Sequence, residues 1–394
     1  MFQLTAHDKA ELVEFLQDIV RTPSLSGQED RVATRIAAAM RRAGFRQVFT
    51  DPIGNVVGRI GNEKRPMLMY NGHMDTVGIS DRAAWAHDPF GADIVDGVLY
   101  GRGACDMKGA LSAMIWGVKL LHNAGVQLNG ELVMAAVVQE EPCEGLATRV
   151  LVEQGGVRPD WMVLGEPSNL QLCRGHRGRV EIEVVTRGRS CHASRPDLGD
   201  NAVYSAARLI FNLEMLSEQL GNDAFLGPGS LAVTHVESRA GSRNAIPDYA
   251  SFIIDRRLTL GETEAKAMAE VQNIIVRERV RAEARVTEYE HASYTGYQAR
   301  QHNYFPAWAL EEEHPLLQTA LRVVKKTLGY RPDIGQWGFS TDGVYTMGTA
   351  GIPTIGLGPG EEKYAHTADE QIRLEDVFKA TSVYAQLAVE LLGT

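Results

Sequence analysis

Short apolar runs alternate with stretches of helical apolar spacing along most of the chain. The runs predict buried strands at residues 67–70, 132–138, 161–164 and 352–357. Helical spacing of apolar residues predicts helices over 8–21, 29–44, 109–124, 314–328 and 373–392. Because strands alternate with helices, we predict an α/β domain built on a mostly parallel sheet.

A different pattern occupies the middle of the chain. Residues 179–187 alternate apolar and polar positions, which predicts a half-exposed strand. The following residues predict, in order, a helix at 201–220, strands at 231–237 and 250–258, a helix at 262–280 and a strand at 283–289. This β-α-β-β-α-β order is ferredoxin-like. We therefore predict that residues 178–293 form a compact domain, inserted into an α/β domain made of residues 1–177 and 294–394.

Composition and charge exclude several classes of protein. The 394 residues include 40 Lys and Arg against 50 Asp and Glu, so no nucleic-acid partner is expected, because phosphate binding depends on cations. No apolar stretch is long enough for a membrane span, and the first residues do not resemble a signal peptide. The four cysteines form no CxxC pair, which favours the cytoplasm over a disulfide framework.

Acidic and histidine residues follow three of the predicted strands directly. His73 and Asp75 follow the first run, Glu140 and Glu141 the second, and Glu166 the third. Ligands of open α/β sheets bind outside the carboxyl ends of the strands, and the sheet brings those ends together. The repeated placement therefore indicates one shared site.

Two further residues join this set. Asp106 lies in the loop GRGACDMKGA before a helix, and His366 lies in KYAHTADE after the last run. Alone, Asp106 is as well explained as a helix cap, and His366 as a surface histidine. With the strand-end residues they predict a metal site, for which zinc suits the ligands and cobalt or manganese can substitute.

Charge balance favours two metal ions over one. The carboxylates of Asp106, Glu141 and Glu166 are balanced by two divalent ions and a bridging hydroxide, whereas a single ion leaves a buried negative charge. Neighbouring side chains can face different ways, so Glu141 can bind metal while Glu140 acts as general base. Asp75, two residues after His73, can accept a hydrogen bond from its imidazole and orient it.

The motifs NGHMDTVG, GRGACDMKGA, EEPCEG, GEPS and KYAHT resemble those of the two-zinc aminoacylase/carboxypeptidase metallopeptidase family. That family includes acetylornithine deacetylase, succinyl-diaminopimelate desuccinylase and glutamate carboxypeptidase. The resemblance spans the whole chain with the motifs in the family's order. GHRGRVEIEV, FSTDGV and GPGEEKYAH further resemble its selenium-metabolism-linked hydrolase branch. The resemblance implies a zinc-peptidase catalytic domain and an inserted domain that dimerises and serves as a lid.

The resemblance also implies roles for individual residues. Asp106 bridges the two metals, and the peptide bond after it is often cis in the family. The implied partners of Asp106 are His73 and Glu166 at one metal and Glu141 and His366 at the other. Glu140 is the implied general base, and Asp75 orients His73.

Lid residues are implied in the same way. His192 matches the histidine that reaches the partner subunit's site to steady the oxyanion, although without the resemblance a surface role is the better explanation. Asn244 and Arg257 match residues that hold a substrate carboxylate, for which the planar guanidinium is suited. Arg256 is expected to face away from Arg257. Residues 340–342 (Ser-Thr-Asp) are candidates for substrate contact, but turn formation explains most of them.

Four other classes fit less well. A serine hydrolase lacks support because Asp342 stands where a nucleophile elbow needs glycine. A thiol enzyme would pair Cys191 with His192, yet adjacent strand residues point apart. A dinucleotide site would be repelled by Asp106. A non-catalytic binder would be expected to have lost Glu140 or a ligand, and none is missing.

The sequence therefore predicts a metal-dependent hydrolase that cleaves an amide bond. The expected reaction is deacylation of an N-acyl amino acid, with dipeptide or C-terminal peptide hydrolysis as the alternative. The expected cofactor is a pair of divalent ions, zinc in the first instance. We expect a small-molecule substrate with a free carboxylate, no nucleic acid or membrane partner, and a cytoplasmic homodimer formed through the inserted domain.

Overall fold

The computed structural model describes residues 2–394, in which the two largest sheets, of nine and five strands, have separate hydrophobic cores. The α-helices of this range are, in chain order, α1 Ala6–Val20, α2 Asp30–Arg42, α3 Gly109–Asn123, α4 Leu146–Glu153, α5 Ala202–Ser217, α6 Glu264–Glu278, α7 Pro315–Leu328, α8 Gly343–Thr346 and α9 Leu374–Leu392. None of the helices in residues 2–394 is long and apolar enough to cross a membrane.

The strands of the same range are numbered in chain order. They are β1 Gln47–Thr50, β2 Val56–Gly61, β3 Met67–His73, β4 Asp93–Val95, β5 Val98–Tyr100, β6 Glu131–Val137, β7 Trp161–Leu164, β8 Leu172–His176, β9 Gly178–Arg187, β10 Asn222–Asp223, β11 Gly227–Pro228, β12 Ser230–Arg239, β13 Tyr249–Leu258, β14 Ala282–Val286, β15 Glu288–Ala292, β16 Gln298–His302, β17 Tyr304–Phe305, β18 Trp308–Ala309, β19 Ile334–Trp337, β20 Thr354–Gly356 and β21 Gln371–Arg373.

The larger sheet has the order β1-β2-β6-β3-β7-β20-β8-β18, with β19 beside β8. Its four central strands, β6, β3, β7 and β20, are parallel, and antiparallel strands flank them on both sides. The predicted parallel α/β sheet is therefore confirmed at its centre. Helix α3 is buried on nearly all sides and packs against α9, which explains its almost entirely apolar sequence.

The smaller sheet is antiparallel and has the order β12-β13-β9-β14. Alternate residues of β9, such as Val180 and Ile182, are buried against α5 and α6. With α5 between β9 and β12, and α6 between β13 and β14, the chain order confirms the predicted ferredoxin-like arrangement.

The end of the inserted domain differs from the prediction, because a hairpin stands there. The strand predicted at 283–289 ends at Val286, and β15 and β16 then form a separate antiparallel hairpin. Tyr289, Tyr294 and Tyr297 of this hairpin pack against the larger core, which draws it away from the smaller sheet. Strand β17 then returns to pair with β9. The predicted boundary between residues 293 and 294 therefore falls inside the hairpin turn.

Candidate metal centre

The parallel register places three groups of candidate residues at one edge of the larger sheet. His73, the last residue of β3, pairs with Val137, the last residue of β6. Asn71 of β3 pairs with Leu164, the last residue of β7. The residues that follow β6 and β7 therefore emerge beside His73, as the carboxyl-end rule predicts.

Asp106 reaches the same edge from a loop held by a buried carboxylate that the sequence did not indicate. Glu370 accepts hydrogen bonds from the backbone N–H groups of Gly103 (3.0 Å), Cys105 (2.9 Å) and Asp106 (2.9 Å), and from the Arg102 guanidinium (2.7 Å). The peptide bond after Asp106 is cis, as the family resemblance implied. Burial, and then the charge of Asp106, raises the pKa of Glu370 to about 7.

The five predicted ligands form two groups that share Asp106. His73 Nε2 lies 2.9 Å from Asp106 Oδ1 and 3.9 Å from Glu166 Oε1. His366 Nε2 lies 2.8 Å from Glu141 Oε2 and 3.4 Å from Asp106 Oδ2. Each group offers three ligand atoms within 4.8 Å of one another. The two oxygens of Asp106 therefore face different groups, which is the arrangement of a bridging carboxylate.

The pKa values report an excess of negative charge at this edge. Burial raises the pKa of Glu140 and of Glu166 well above the usual range; repulsion by Glu166 adds to the rise at Glu140, and repulsion by Asp106 adds to the rise at Glu166. Hydrogen bonds to Asp106 and Glu141 raise the pKa of His366 to about 10. Buried carboxylates in this number require positive charge nearby, and protonated histidines or metal ions can supply it.

Glu140 is buried, and its Oε1 atom has no hydrogen-bond partner among residues 2–394. It lines a cavity of about 380 Å³ together with His73, Asp106, Glu141, Glu144, Glu166, Arg179, Arg257, Phe339, Ser340, Glu362, Ala365 and His366. The side chain that carries this unpartnered oxygen therefore lines the cavity that contains both groups of predicted ligands.

Asp75 has a different contact from the one predicted. The imidazole of His73 bonds through Nδ1 to the backbone carbonyl of Asp75 at 2.9 Å, whereas the nearer carboxylate oxygen is 3.8 Å away. That carboxylate instead accepts the backbone N–H groups of Glu140 (3.1 Å) and Glu141 (3.2 Å), and the Ser26 hydroxyl (2.7 Å). Asp75 thus orients the loop of the two glutamates, because their N–H groups lie nearer to it than the imidazole.

Arg257 lines the cavity, and Arg256 does not. Alternate residues of a strand point to opposite faces, so Arg256 is buried beneath the smaller sheet, where it pairs with Glu262 at 2.8 Å. Arg257 lies on the other face and pairs with Asp255 at 2.7 Å. Only Arg257 reaches the cavity, and Arg256 faces away from it, as expected from the sequence.

His192 and Asn244 are not among the residues that line this cavity. Both are exposed and adjacent on the inserted domain, where Ala193 N–H donates to the Asn244 carbonyl at 2.8 Å. The His192 imidazole contacts only its neighbour Ser194, at 2.7 Å from Nδ1 to Oγ, among the side-chain hydrogen bonds of residues 2–394. The structure therefore does not bring them to the predicted ligands of their own chain.

The stretch 340–342 divides between the cavity and the interior. Ser340 lines the cavity, and its buried hydroxyl has no hydrogen-bond partner among residues 2–394. Thr341 is bonded through its N–H to His176 Nε2 at 3.1 Å, and Asp342 accepts from Asn71 Nδ2 at 2.9 Å. Thr341 and Asp342 thus hold the loop, and Ser340 alone faces the cavity.

Arg179 is a cavity residue that the sequence reasoning missed. It lies directly opposite Arg257 in the β9–β13 register, so both side chains project from the same face. Its guanidinium pairs with Glu144 at 2.8 Å. The motifs GHRGRV and EEPCEG contain these two residues, but nothing in their spacing indicates that they meet.

Comparison with known proteins places the chain in a family. The profile of the peptidase family M20/M25/M40 matches residues 69–390. The uncharacterized protein YgeY of Escherichia coli strain K12 is 37% identical over 386 residues, which cover 98% of this chain and 96% of YgeY.

Two solved structures share the fold. The M20 family metallo-carboxypeptidase Sso-CP2 from Sulfolobus solfataricus superposes with a TM-score of 0.76 at 18% identity, covering 98% of this chain and 99% of that one. The Bacillus subtilis YXEP protein, a dinuclear metal binding peptidase from the M20 family, has a TM-score of 0.71 at 17% identity, covering 99% and 100%. The protein belongs to the peptidase family M20/M25/M40, and it is a metal-dependent hydrolase.

Proposed function

We propose that this hydrolase removes the acyl group from an N-acyl amino acid by attack of water on the amide carbonyl. The observation that carries the proposal is a single cavity that contains both ligand groups, the unpartnered oxygen of Glu140 and two arginines. Its volume of about 380 Å³ suits a small molecule rather than a folded protein chain.

The residues present fit a pair of divalent metal ions. The donors are imidazole nitrogens and carboxylate oxygens, which suit zinc and also cobalt or manganese. They would be His73, Glu166, Glu141 and His366, with Asp106 shared. When bound, two such ions would supply positive charge that polarises a carbonyl and acidifies water. YXEP, which shares the fold, is a dinuclear metal binding peptidase, and this supports a metal pair here.

Glu140 is positioned to move the proton. Its side chain lines the cavity and its Oε1 atom has no hydrogen-bond partner among residues 2–394, so it can accept a proton from the attacking water and return it to the leaving nitrogen. Asp75 fixes the backbone at this point through the N–H groups of Glu140 and Glu141.

Arg179 and Arg257 are the proposed anchors for the substrate carboxylate. They project side by side into the cavity, and a planar guanidinium can pair with both carboxylate oxygens. Each is already balanced by an acidic neighbour, Glu144 or Asp255, so the anchor site is not strongly cationic before substrate arrives.

The alternative is a dipeptidase or carboxypeptidase. Glu362 lines the same cavity, and its carboxylate can pair with a free substrate ammonium. Sso-CP2, which shares the fold, is a metallo-carboxypeptidase, and this supports the alternative. Rates on N-acyl amino acids and on dipeptides with the same C-terminal residue distinguish the two reactions.

We further propose a homodimer in which His192 and Asn244 complete the partner's site. Their exposure, and their position outside the cavity of their own chain, are consistent with that role. The four cysteines form no disulfide, which supports the proposed cytoplasmic location.

Glu140→Ala tests the proposed mechanism. Removal of the base should lower turnover by about 10²–10⁴-fold while both metals remain bound, because Glu140 is not a ligand. Turnover is measured on the zinc-, cobalt- and manganese-loaded protein with a panel of N-acyl amino acids and dipeptides, and metal content by elemental analysis. The exposed Glu283→Ala serves as control. Normal turnover in Glu140→Ala, or full activity after chelation, would contradict the proposal.

A further inference from the structure

The loop that carries Glu140 is held on both sides of its backbone. Gln139, directly before Glu140, has a positive φ of 51°, which side-chain-bearing residues adopt only when their surroundings hold them there. Its backbone N–H donates to Glu29 Oε1 at 3.1 Å, and Glu29 is completely buried. The next two N–H groups donate to Asp75. The N–H groups of three successive residues, 139–141, therefore donate hydrogen bonds to buried carboxylates.

The side chain of Gln139 connects this loop to the hairpin formed by β15 and β16. Its Nε2 atom donates to the Tyr289 hydroxyl at 3.2 Å and to the Ala292 carbonyl at 3.2 Å. Gln139 itself is 1% exposed, so the two hydrogen bonds are shielded from water.

The hairpin is in turn fixed to the larger domain beyond Gln139. The Tyr294 hydroxyl donates to the Gly54 carbonyl at 2.9 Å, and the Thr295 hydroxyl donates to the Pro52 carbonyl at 2.7 Å. A Cβ atom at Gly54 would lie 2.4 Å from the Tyr294 ring, so the tyrosine sits directly against the backbone. The hairpin is therefore a rigid support rather than a free loop.

We propose that the hairpin, acting through Tyr289 and Gln139, positions the carboxylate of Glu140 for proton transfer. The inference rests on the proposed function, because it assigns a supporting contact to the proposed base. Gln139 and Tyr289 are positioning residues, since neither lines the cavity. A displacement of the base by a fraction of an ångström lowers the rate of the step it performs without changing substrate affinity.

Gln139→Met tests the contact directly. Methionine keeps the length of the side chain and removes the amide that bonds the hairpin. We expect kcat to fall about tenfold, KM to stay within about twofold and both metals to remain bound. Hydrogen exchange of the backbone amides of residues 139–141 should become faster. Tyr289→Phe, which removes one of the two acceptors, should give a smaller change in the same direction.

Tyr297→Phe is the matched control on the same hairpin. Its hydroxyl bonds the exposed Gln154 at 3.1 Å and not the glutamate loop, so kcat and amide exchange at 139–141 should be unchanged. If Gln139→Met lowers only the melting temperature, as a purely structural contact would, the proposal is overturned.

A double variant separates this proposal from the proposed reaction. In a Glu140→Ala background, Gln139→Met should cause no further loss of the residual rate, because the group it positions is gone. An equal fall in both backgrounds overturns the positioning role. If Glu140→Ala itself keeps full turnover, the proposed base is wrong, while the exchange measurement still reports whether the hairpin orders the loop.

Discussion

Two buried carboxylates outside the predicted ligand set hold the loops that carry predicted ligands. Asp75 and Glu370 are both buried, and the carboxylate of each accepts hydrogen bonds from backbone N–H groups of a loop that carries predicted ligands. Such hydrogen bonds to a charged acceptor are stronger than neutral ones and fix loops without regular structure. Asp106 can therefore bridge two groups because Glu370 holds its backbone in place.

Glu370→Gln should weaken metal binding at the shared ligand. An amide presents one acceptor oxygen and one NH₂ group, so it cannot accept from Gly103 and from Asp106 at once while leaving Arg102 paired. Loss of support around a ligand typically lowers metal affinity by about 10–100-fold. Competition titration with a chromogenic chelator measures this affinity. Glu375→Gln, at an exposed position, is the control, and equal affinity in both variants would argue against the role of Glu370.

Elements with strong periodicity were predictable, and those defined by distant contacts were not. Strand β7 has the predicted bounds, and α3 differs by one residue at its end. The strand-end residues that the carboxyl-end rule grouped together do lie at one edge of the larger sheet. The hairpin at 288–302 was missed because its tyrosines pack against residues far away in sequence, and alternation alone does not show which sheet a strand joins.

The supporting contacts were hidden for a related reason. Glu370 lies far from Asp106 in sequence, and its partners are backbone N–H groups, which every residue has. Arg179 lies opposite Arg257 only because β9 pairs with β13, and these two strands are far apart in sequence. A sequence shows which side chains can bind a metal, but it does not show which other residues hold those side chains in position.

His176 joins three elements and should make stability depend on pH. It ends β8, and its Nε2 atom accepts from Trp308 Nε1 of β18 (2.7 Å) and from the N–H of Thr341, before α8 (3.1 Å). Burial lowers the pKa of His176 to about 4, so the folded protein keeps it neutral. In the unfolded chain it gains a proton below about pH 6.5. Its contribution is therefore complete above that pH and is lost as pH falls toward 4.

His176→Gln should remove this part of the pH dependence. Glutamine keeps an acceptor oxygen and does not titrate. Urea unfolding, followed by circular dichroism at pH 7.5 and 4.5, gives the free energy of unfolding of both proteins. We expect the wild type to lose up to about 3 kcal/mol more than the variant between these pH values. If the free energy of unfolding falls equally in the wild type and the variant, His176 is protonated in the folded protein and the prediction is wrong.

The molecule as a whole presents an apolar face on the inserted domain. On α5, Tyr204, Phe211 and Met215 are 68%, 61% and 45% exposed, and their spacing puts them on one side of the helix. Strand β12 is an open edge of the same sheet, and its Val236 is 57% exposed. Unprotected edges and apolar faces of this kind are usually covered, and the proposed partner for both is a second copy of the chain, related by two-fold symmetry.

Phe211→Glu tests whether this face forms the proposed homodimer. In a two-fold interface each substitution appears twice, so two buried carboxylates would oppose association while leaving the interior of each chain intact. Light scattering should show the mass of two chains for the wild type and of one chain for the variant. Val95→Glu, at a similarly exposed position of the larger domain, should stay dimeric. If His192 acts across the interface, the monomeric variant should also lose turnover while it keeps its metals. A wild type with the mass of one chain would contradict the dimer, and a fully active monomer would remove His192 from the mechanism.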